Sequence, residues 1–97
     1  MVKNTEAVQI EVFTSGVCGR CKRACRVVEL VLQEAPFAAL TWRETDVVEQ
    51  IDRAVAAGVL VTPTILIGGS VAFTSVPSAS QLRRALTAFM NRKGMES

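Results

Sequence analysis

The stretch VQIEVFTSGVCGRC, residues 8–21, decides which fold the rest of the chain can adopt. Val8 to Phe13 alternates apolar and polar side chains and is rich in β-branched residues, which predicts a strand. Residues 14–16 interrupt that strand with a glycine-containing turn. Apolar positions at helical spacing then predict a helix from about Gly19 to Ala35, which Pro36 ends. Cys18 therefore lies at the junction between a strand and a helix.

Downstream, the chain predicts a second strand over Leu40 to Thr45 and then a second helix. Asp46 is the expected cap of that helix, with Glu49 as its reciprocal capping partner. Gly58 suits the end of the helix. We expect one side of it to be lined by four aliphatic residues, namely Val47, Val48, Ile51 and Val55.

The last third of the chain predicts a hairpin and a final helix. Thr64 to Ile67 and Val71 to Thr74 read as two strands around the turn Gly68-Gly69-Ser70. The final helix opens with a capping box formed by Ser78 and Gln81. Its apolar stripe has the i, i+3, i+4 spacing of an amphipathic helix and consists of Leu82, Ala85, Leu86, Phe89 and Met90.

The predicted order is βαβαββα, an α/β architecture in a single domain covering residues 1–97. Helices between the first three strands predict parallel, right-handed crossovers, and the last two strands predict an antiparallel hairpin. The expected result is one mixed four-stranded sheet with helices on both faces.

Composition excludes several classes of protein. Hydrophobic residues make up 49% and charged residues 21% of the 97 residues, as is typical of a globular domain. The net charge of +2 is too small to indicate nucleic-acid binding. No apolar run is long enough to span a membrane, and Met1 to Ile10 lacks the features of a signal peptide. We therefore expect a cytoplasmic protein that binds neither nucleic acid nor membrane.

Cys18 and Cys21 form a Cys-x-x-Cys motif at the start of a helix, a pattern typical of redox chemistry. Residues i and i+3 there lie on one side, close enough for a disulfide to form and break with little backbone motion. The helix N-terminus stabilises a thiolate on Cys18. The alternative is that the two cysteines have no redox role and are simply small, buried hydrophobic residues.

Four cations and no acid follow in the first turns of this helix: Arg20, Lys22, Arg23 and Arg26. Cations at a helix N-terminus oppose the helix dipole and so destabilise the helix. Because these residues do not stabilise the fold there, we expect them to serve the function of the protein. A solvated charged face is the alternative for Arg23 and Arg26. Arg20 lies between the two cysteines and is the residue of this group most closely tied to the site.

Cys25 lies on the same helix face, and three interpretations of it stay open. The favoured one is a core residue, because cysteines four apart in a helix have poor disulfide geometry. The others are a backup thiol, or a third ligand with Cys18 and Cys21 for zinc, copper(I) or an iron–sulfur cluster. The chain has no histidine, and no fourth ligand is visible.

These residues together resemble the thioredoxin-like superfamily, and most closely its small, glutaredoxin-like redox-active disulfide proteins. The resemblance rests on the strand, the Cys-Gly-Arg-Cys helix start, Thr62-Pro63 before the third strand, the Gly-Gly hairpin and Val76-Pro77-Ser78 before the last helix. It covers nearly the whole chain. One departure is Arg20, which replaces the proline of thioredoxin's own motif.

The resemblance implies a thiol–disulfide oxidoreductase in which Cys18 attacks and Cys21 resolves. It implies a cis peptide bond at Pro63 and a backbone at Thr62 that docks an extended substrate. From its position between the two cysteines, we expect Arg20 to bind the substrate as well. No cofactor is expected beyond the Cys18–Cys21 disulfide. The expected partners are a disulfide-containing protein or small thiol and a disulfide reductase as electron donor, and we expect a monomer.

Overall fold

The computed structural model describes residues 8–16 and 18–96. Its elements are β1 (Ile10–Thr14), α1 (Gly19–Val31), a 3-10 turn (Phe37–Ala39), β2 (Trp42–Asp46), α2 (Ile51–Ala56), β3 (Thr64–Ile67), β4 (Ser70–Phe73) and α3 (Ala79–Glu96). The βαβαββα order is therefore as predicted. The first helix ends at Val31, four residues before the predicted end, and turns connect it to the cis Ala35–Pro36 bond.

The four strands form one mixed sheet in the order β2-β1-β3-β4. β2 is parallel to β1, as predicted, and β3 and β4 form the predicted antiparallel hairpin. The expectation that β3 is parallel to the first two strands is wrong. β3 runs antiparallel to β1, with Phe13 opposite Thr64 and Ile10 opposite Ile67.

The direction of β3 follows from the place where it begins. A hydrogen bond of 3.3 Å between the hydroxyl groups of Ser15 and Thr62 holds the start of β3 beside the carboxyl end of β1. The strand that begins there must run back along β1.

Helices cover both faces of the sheet. Alternate residues of β1 and β3 point to the same face, where they pack under α1 and α3 in the main core. This core contains Ile10, Val12, Val28, Ile65, Ile67, Leu82 and Leu86. On the opposite face, Phe13 and Leu66 pack against Ala54 of α2. The Glu34–Arg83 ion pair, at 2.8 Å, links the segment after α1 to α3.

The aliphatic side predicted for the second helix is largely exposed. Val48, Ile51 and Val55 are 75%, 56% and 69% exposed, and the residue that α2 buries is Ala54. Asp46 does accept hydrogen bonds from the backbone N–H groups of Val48 and Glu49, at 2.8 and 3.1 Å. Turns follow this cap, and the helix itself begins only at Ile51.

A buried carboxylate that the strand pattern did not predict stabilises the α2 face. Glu11 of β1 is 5% exposed and accepts hydrogen bonds from Arg53, Arg43 and Thr45. Burial raises the pKa of Glu11, but the hydrogen bonds from Arg53 and Thr45 and the nearby guanidinium charges outweigh it, so the pKa lies below its usual value. α2 is therefore tied to the sheet by a charge pair as well as by apolar contacts.

Candidate active site

Cys18 is the N-cap residue of α1. Its backbone is extended, with φ −110° and ψ 107°, and its sulfur accepts a hydrogen bond of 3.1 Å from the N–H of Cys21. The first turn of α1 contains no acidic residue. A negative charge on this sulfur would therefore meet a free backbone donor and the positive end of the helix dipole.

Cys18 and Cys21 form a disulfide in the structure, with their Cα atoms 5.3 Å apart. This separation lies in the usual range for disulfides, so the pair joins without rearrangement of the helix start. The two sulfurs have unequal access to solvent. Cys18 is half-buried, whereas Cys21 faces the interior and is only 3% exposed. An incoming molecule therefore reaches Cys18 first.

The loop before β3 meets the cysteine segment at the same edge of the sheet. The Thr62–Pro63 peptide bond is cis, the isomer expected from the resemblance. Pro63 is fully buried, and Thr64 donates a hydrogen bond of 2.7 Å to the carbonyl of Val61. The hydrogen bond between Thr62 and Ser15 then holds this loop beside Ser15, which lies three residues before Cys18 in the chain. The sequence contained no signal that pointed to Ser15.

Cys25 packs against the main core and is half-buried, as the favoured interpretation expected. Burial raises the pKa of the Cys25 thiol to about 11, with contributions from the carboxylates of Glu44 and Glu29. Glu44 also accepts a hydrogen bond of 3.0 Å from the Thr14 hydroxyl. This thiol is therefore held protonated at neutral pH, first by burial and then by the two carboxylates.

The structure does not assemble the alternative three-sulfur metal site. Within residues 8–16 and 18–96, no three Cys, Asp or Glu side chains converge as metal ligands. In the same part of the chain, no helix is long and apolar enough to cross a membrane.

Comparison with known proteins gives one consistent result. Residues 8–87 match the family model described as a thioredoxin domain. The chain is 39% identical over 79 residues to a thioredoxin of Methanocaldococcus jannaschii, covering 81% of this chain and 92% of that protein. It is 33% identical over 79 residues to a probable thioredoxin of Methanothermobacter thermautotrophicus, with the same coverage of 81% and 92%.

A solved structure agrees at the level of the fold. Mitochondrial thioredoxin 3 of Saccharomyces cerevisiae, in its oxidised form, superposes with a TM-score of 0.72 at 19% identity. The superposition covers 90% of this chain and 86% of that one.

Proposed function

The chain belongs to the thioredoxin family and is a thiol–disulfide oxidoreductase, and from this premise we propose how its own residues divide the reaction. Cys18 is the attacking thiol and Cys21 the resolving thiol. The observation that carries this proposal is the hydrogen bond from the Cys21 N–H to the Cys18 sulfur at the start of α1. Thiol–disulfide exchange requires a thiolate, and this position stabilises one.

In the first step, the Cys18 thiolate attacks one sulfur of a substrate disulfide. The Cys18–substrate bond forms, the substrate disulfide breaks, and the other substrate sulfur leaves as a thiolate. Cys18 is suited to this step because it is the more accessible sulfur of the pair.

In the second step, Cys21 loses its proton and attacks the Cys18 sulfur of the mixed disulfide. The Cys18–Cys21 bond forms, and the second substrate sulfur leaves and takes up a proton. Two electrons have then passed from the protein to the substrate. The Cα separation of 5.3 Å allows this closure at the existing helix start, and the buried position of Cys21 keeps it from competing for the substrate.

Thr62 and Pro63 form the surface on which the substrate docks. The Ser15–Thr62 contact supports this role, because it fixes the loop beside the segment that leads into Cys18. An extended substrate would lie between this loop and Arg20, which is exposed at the helix start. The substrate is a disulfide-bonded protein or a small disulfide.

The family implies disulfide substrates and a reductase that returns electrons to the protein. Thioredoxins need no cofactor beyond their redox-active disulfide. We place the reaction in the cytoplasm, because a reducing compartment keeps the dithiol available as an electron donor. We propose that the protein acts as a monomer.

Three single-cysteine variants test the division of roles. Each is assayed for reduction of a disulfide-bonded peptide with dithiothreitol as the electron donor. Cys18→Ser should reduce turnover to the rate without protein, because the attacking thiolate is lost. For Cys21→Ser, the reduced protein is freed of dithiothreitol before the peptide is added, because that dithiol would itself cleave a mixed disulfide. The variant should then accumulate the Cys18–peptide disulfide, visible as an increase in intact mass equal to the attached peptide.

Cys25→Ala is the control, because it removes a thiol of the same helix and should retain most of the activity. Equal loss of activity in all three variants would contradict the proposed roles and favour a three-sulfur site. A mixed disulfide that forms on Cys21 of the Cys18→Ser variant would reverse the order of attack.

A further inference from the structure

The first two turns of α1, directly after Cys18, carry a group of positive charges. We call Arg20, Lys22, Arg23 and Arg26 the cationic cluster; all four are exposed. They account for four of the 11 Lys and Arg residues of the chain, within seven consecutive positions. The interval from Val12 to Val28 contains no acid at all.

The cationic cluster is unpaired among the side chains that the structure describes. Among the side chains described, residues 8–16 and 18–92, three arginines form ion pairs: Arg43 and Arg53 with Glu11, and Arg83 with Glu34. No member of the cationic cluster forms an ion pair or a side-chain hydrogen bond there. Lys22, Arg23 and Arg26 line a groove together with Cys25 and two acids, Glu29 and Glu44. The groove therefore holds three cations and two carboxylates, and Arg20 adds a fourth cation outside it.

These charges also work against the helix that carries them. The start of α1 has no acidic residue to complement the dipole, and the cations lie in its first two turns. They therefore stabilise neither an internal ion pair nor the helix. Their charge remains available to a molecule that approaches Cys18.

The loop that precedes Thr62 is apolar and exposed. Leu60 is 93% exposed and Val61 is 51% exposed, directly before Thr62. The Ser15–Thr62 contact holds this loop at the edge where the chain leads into Cys18. A partner that contacts both this loop and the cationic cluster must offer apolar side chains and negative charge near its disulfide. A polypeptide segment can carry both.

We propose that the cationic cluster makes this protein selective for disulfides in acidic polypeptide segments. This inference rests on the proposed function, since Cys18 must be the attacking thiol. The cationic cluster accelerates the association of the substrate with the protein, because it raises the local concentration of acidic substrate near Cys18. Salt screens this attraction. The exchange chemistry itself is unchanged.

The test compares three disulfide-bonded peptides of one length and apolar content, whose flanking residues are Glu, Gln or Lys. Initial rates with dithiothreitol as donor give kcat/KM at ionic strengths of about 0.01 M and 1 M, where the Debye length is about 30 Å and about 3 Å. The wild-type protein should prefer the Glu peptide over the Gln peptide by about tenfold at low salt. The preference should largely disappear at high salt, and the Lys peptide should be the slowest.

Arg23→Gln and the double variant Arg23→Gln/Arg26→Gln remove charge from the cationic cluster while retaining good helix formers. The double variant should lose most of the low-salt preference and the single variant part of it. Arg84→Gln is the matched control. It removes one exposed arginine that is adjacent to Arg83 in α3. Arg83 pairs with Glu34, which follows the C-terminal end of α1, so this turn of α3 lies near that end. The 13-residue helix separates it from Cys18 by about 20 Å, so the preference should persist.

The outcomes separate this inference from the proposed function. Equal kcat/KM for the Glu and Gln peptides in the wild-type protein overturns the inference and leaves the redox roles intact. Equal slowing of both peptides in the double variant also overturns it, because the cations would then act on the Cys18 thiolate. If the protein prefers glutathione disulfide but does not prefer the Glu peptide over the Gln peptide, the proposal that its substrates are polypeptide segments is wrong. Failure to reduce any of the peptides contradicts the proposed function and the inference with it.

Discussion

Glu44→Gln tests whether the two half-buried thiols of α1 differ in reactivity for the reasons given. The pKa of Cys25 is raised to about 11, first by burial and then by Glu44. At pH 7 about one Cys25 in 10,000 would be a thiolate, against about 3% for a thiol with the ordinary pKa of about 8.5. Cys18 should therefore react with iodoacetamide at least about 300-fold faster than Cys25, before any benefit from its N-cap position.

The assay is timed alkylation of the fully reduced protein between pH 6 and 9.5, followed by mass spectrometry of the peptides. The rate at Cys25 should rise about tenfold for each pH unit across this range, since its thiolate fraction stays small. Glu44→Gln removes a negative charge beside Cys25 but keeps an oxygen that can accept the Thr14 hydrogen bond. The variant should lower the pKa of Cys25 and accelerate its alkylation at every pH in the range.

Glu29→Gln is the matched control, because Glu29 makes the smallest of the contributions that raise the pKa of Cys25. It should accelerate alkylation less than Glu44→Gln does. Alkylation of Cys25 within about tenfold of the rate at Cys18 at pH 7 would refute the reasoning. So would a Glu44→Gln variant whose Cys25 reacts at the wild-type rate.

Three further predictions concern stability and are measured by urea unfolding. Glu11→Gln should cost about 1–2 kcal/mol at pH 7, a modest value because its guanidinium partners are partly exposed. Since folding lowers the pKa of Glu11, its contribution is present above the unfolded value of about 4.3 and is lost as the pH falls through the folded value. The wild-type advantage over Glu11→Gln should therefore vanish in acid, and a constant difference from pH 7 to pH 3 would contradict this. Ser78→Ala should cost about 1 kcal/mol, because the Ser78 hydroxyl accepts from the N–H of the third residue after it at 3.0 Å; no loss would mean the cap is dispensable. Gly68→Ala should destabilise more than Gly69→Ala, because both have positive φ but only at Gly68 would the new Cβ meet Phe89, at 2.5 Å. Equal losses in the two variants would show that backbone conformation alone matters there.

The local chemistry of the site could be predicted from the sequence because each part of it depends on residues close together in the chain. A Cys-x-x-Cys after a strand and a turn places Cys18 at a helix start, where backbone donors are free. The capping box at Ser78 and the glycine turn before Ser70 also involve only near neighbours. Such patterns act over one or two turns of chain and need no knowledge of the packing.

The surroundings of the site could not be predicted in this way. An acidic residue in an alternating strand is normally exposed, yet Glu11 is buried because Arg43 and Arg53 reach it from 32 and 42 residues away. Likewise, the aliphatic residues of α2 looked like a core-facing stripe. The sheet instead receives the small Ala54, while Ile51 and Val55 remain in solvent.

The sequence by itself determined the disulfide pair, Cys18 and Cys21, and its place at a helix start. Only the tertiary structure decided what faces them. The direction of β3 depends on the edge of the sheet at which the chain enters it, a property of the folded chain that residue periodicity does not encode. Because β3 runs antiparallel to β1, its first residues, and Thr62 before them, lie beside the carboxyl end of β1. Hydrophobic spacing records which side of an element is apolar, whereas the edge at which two distant segments meet depends on long-range pairing and packing.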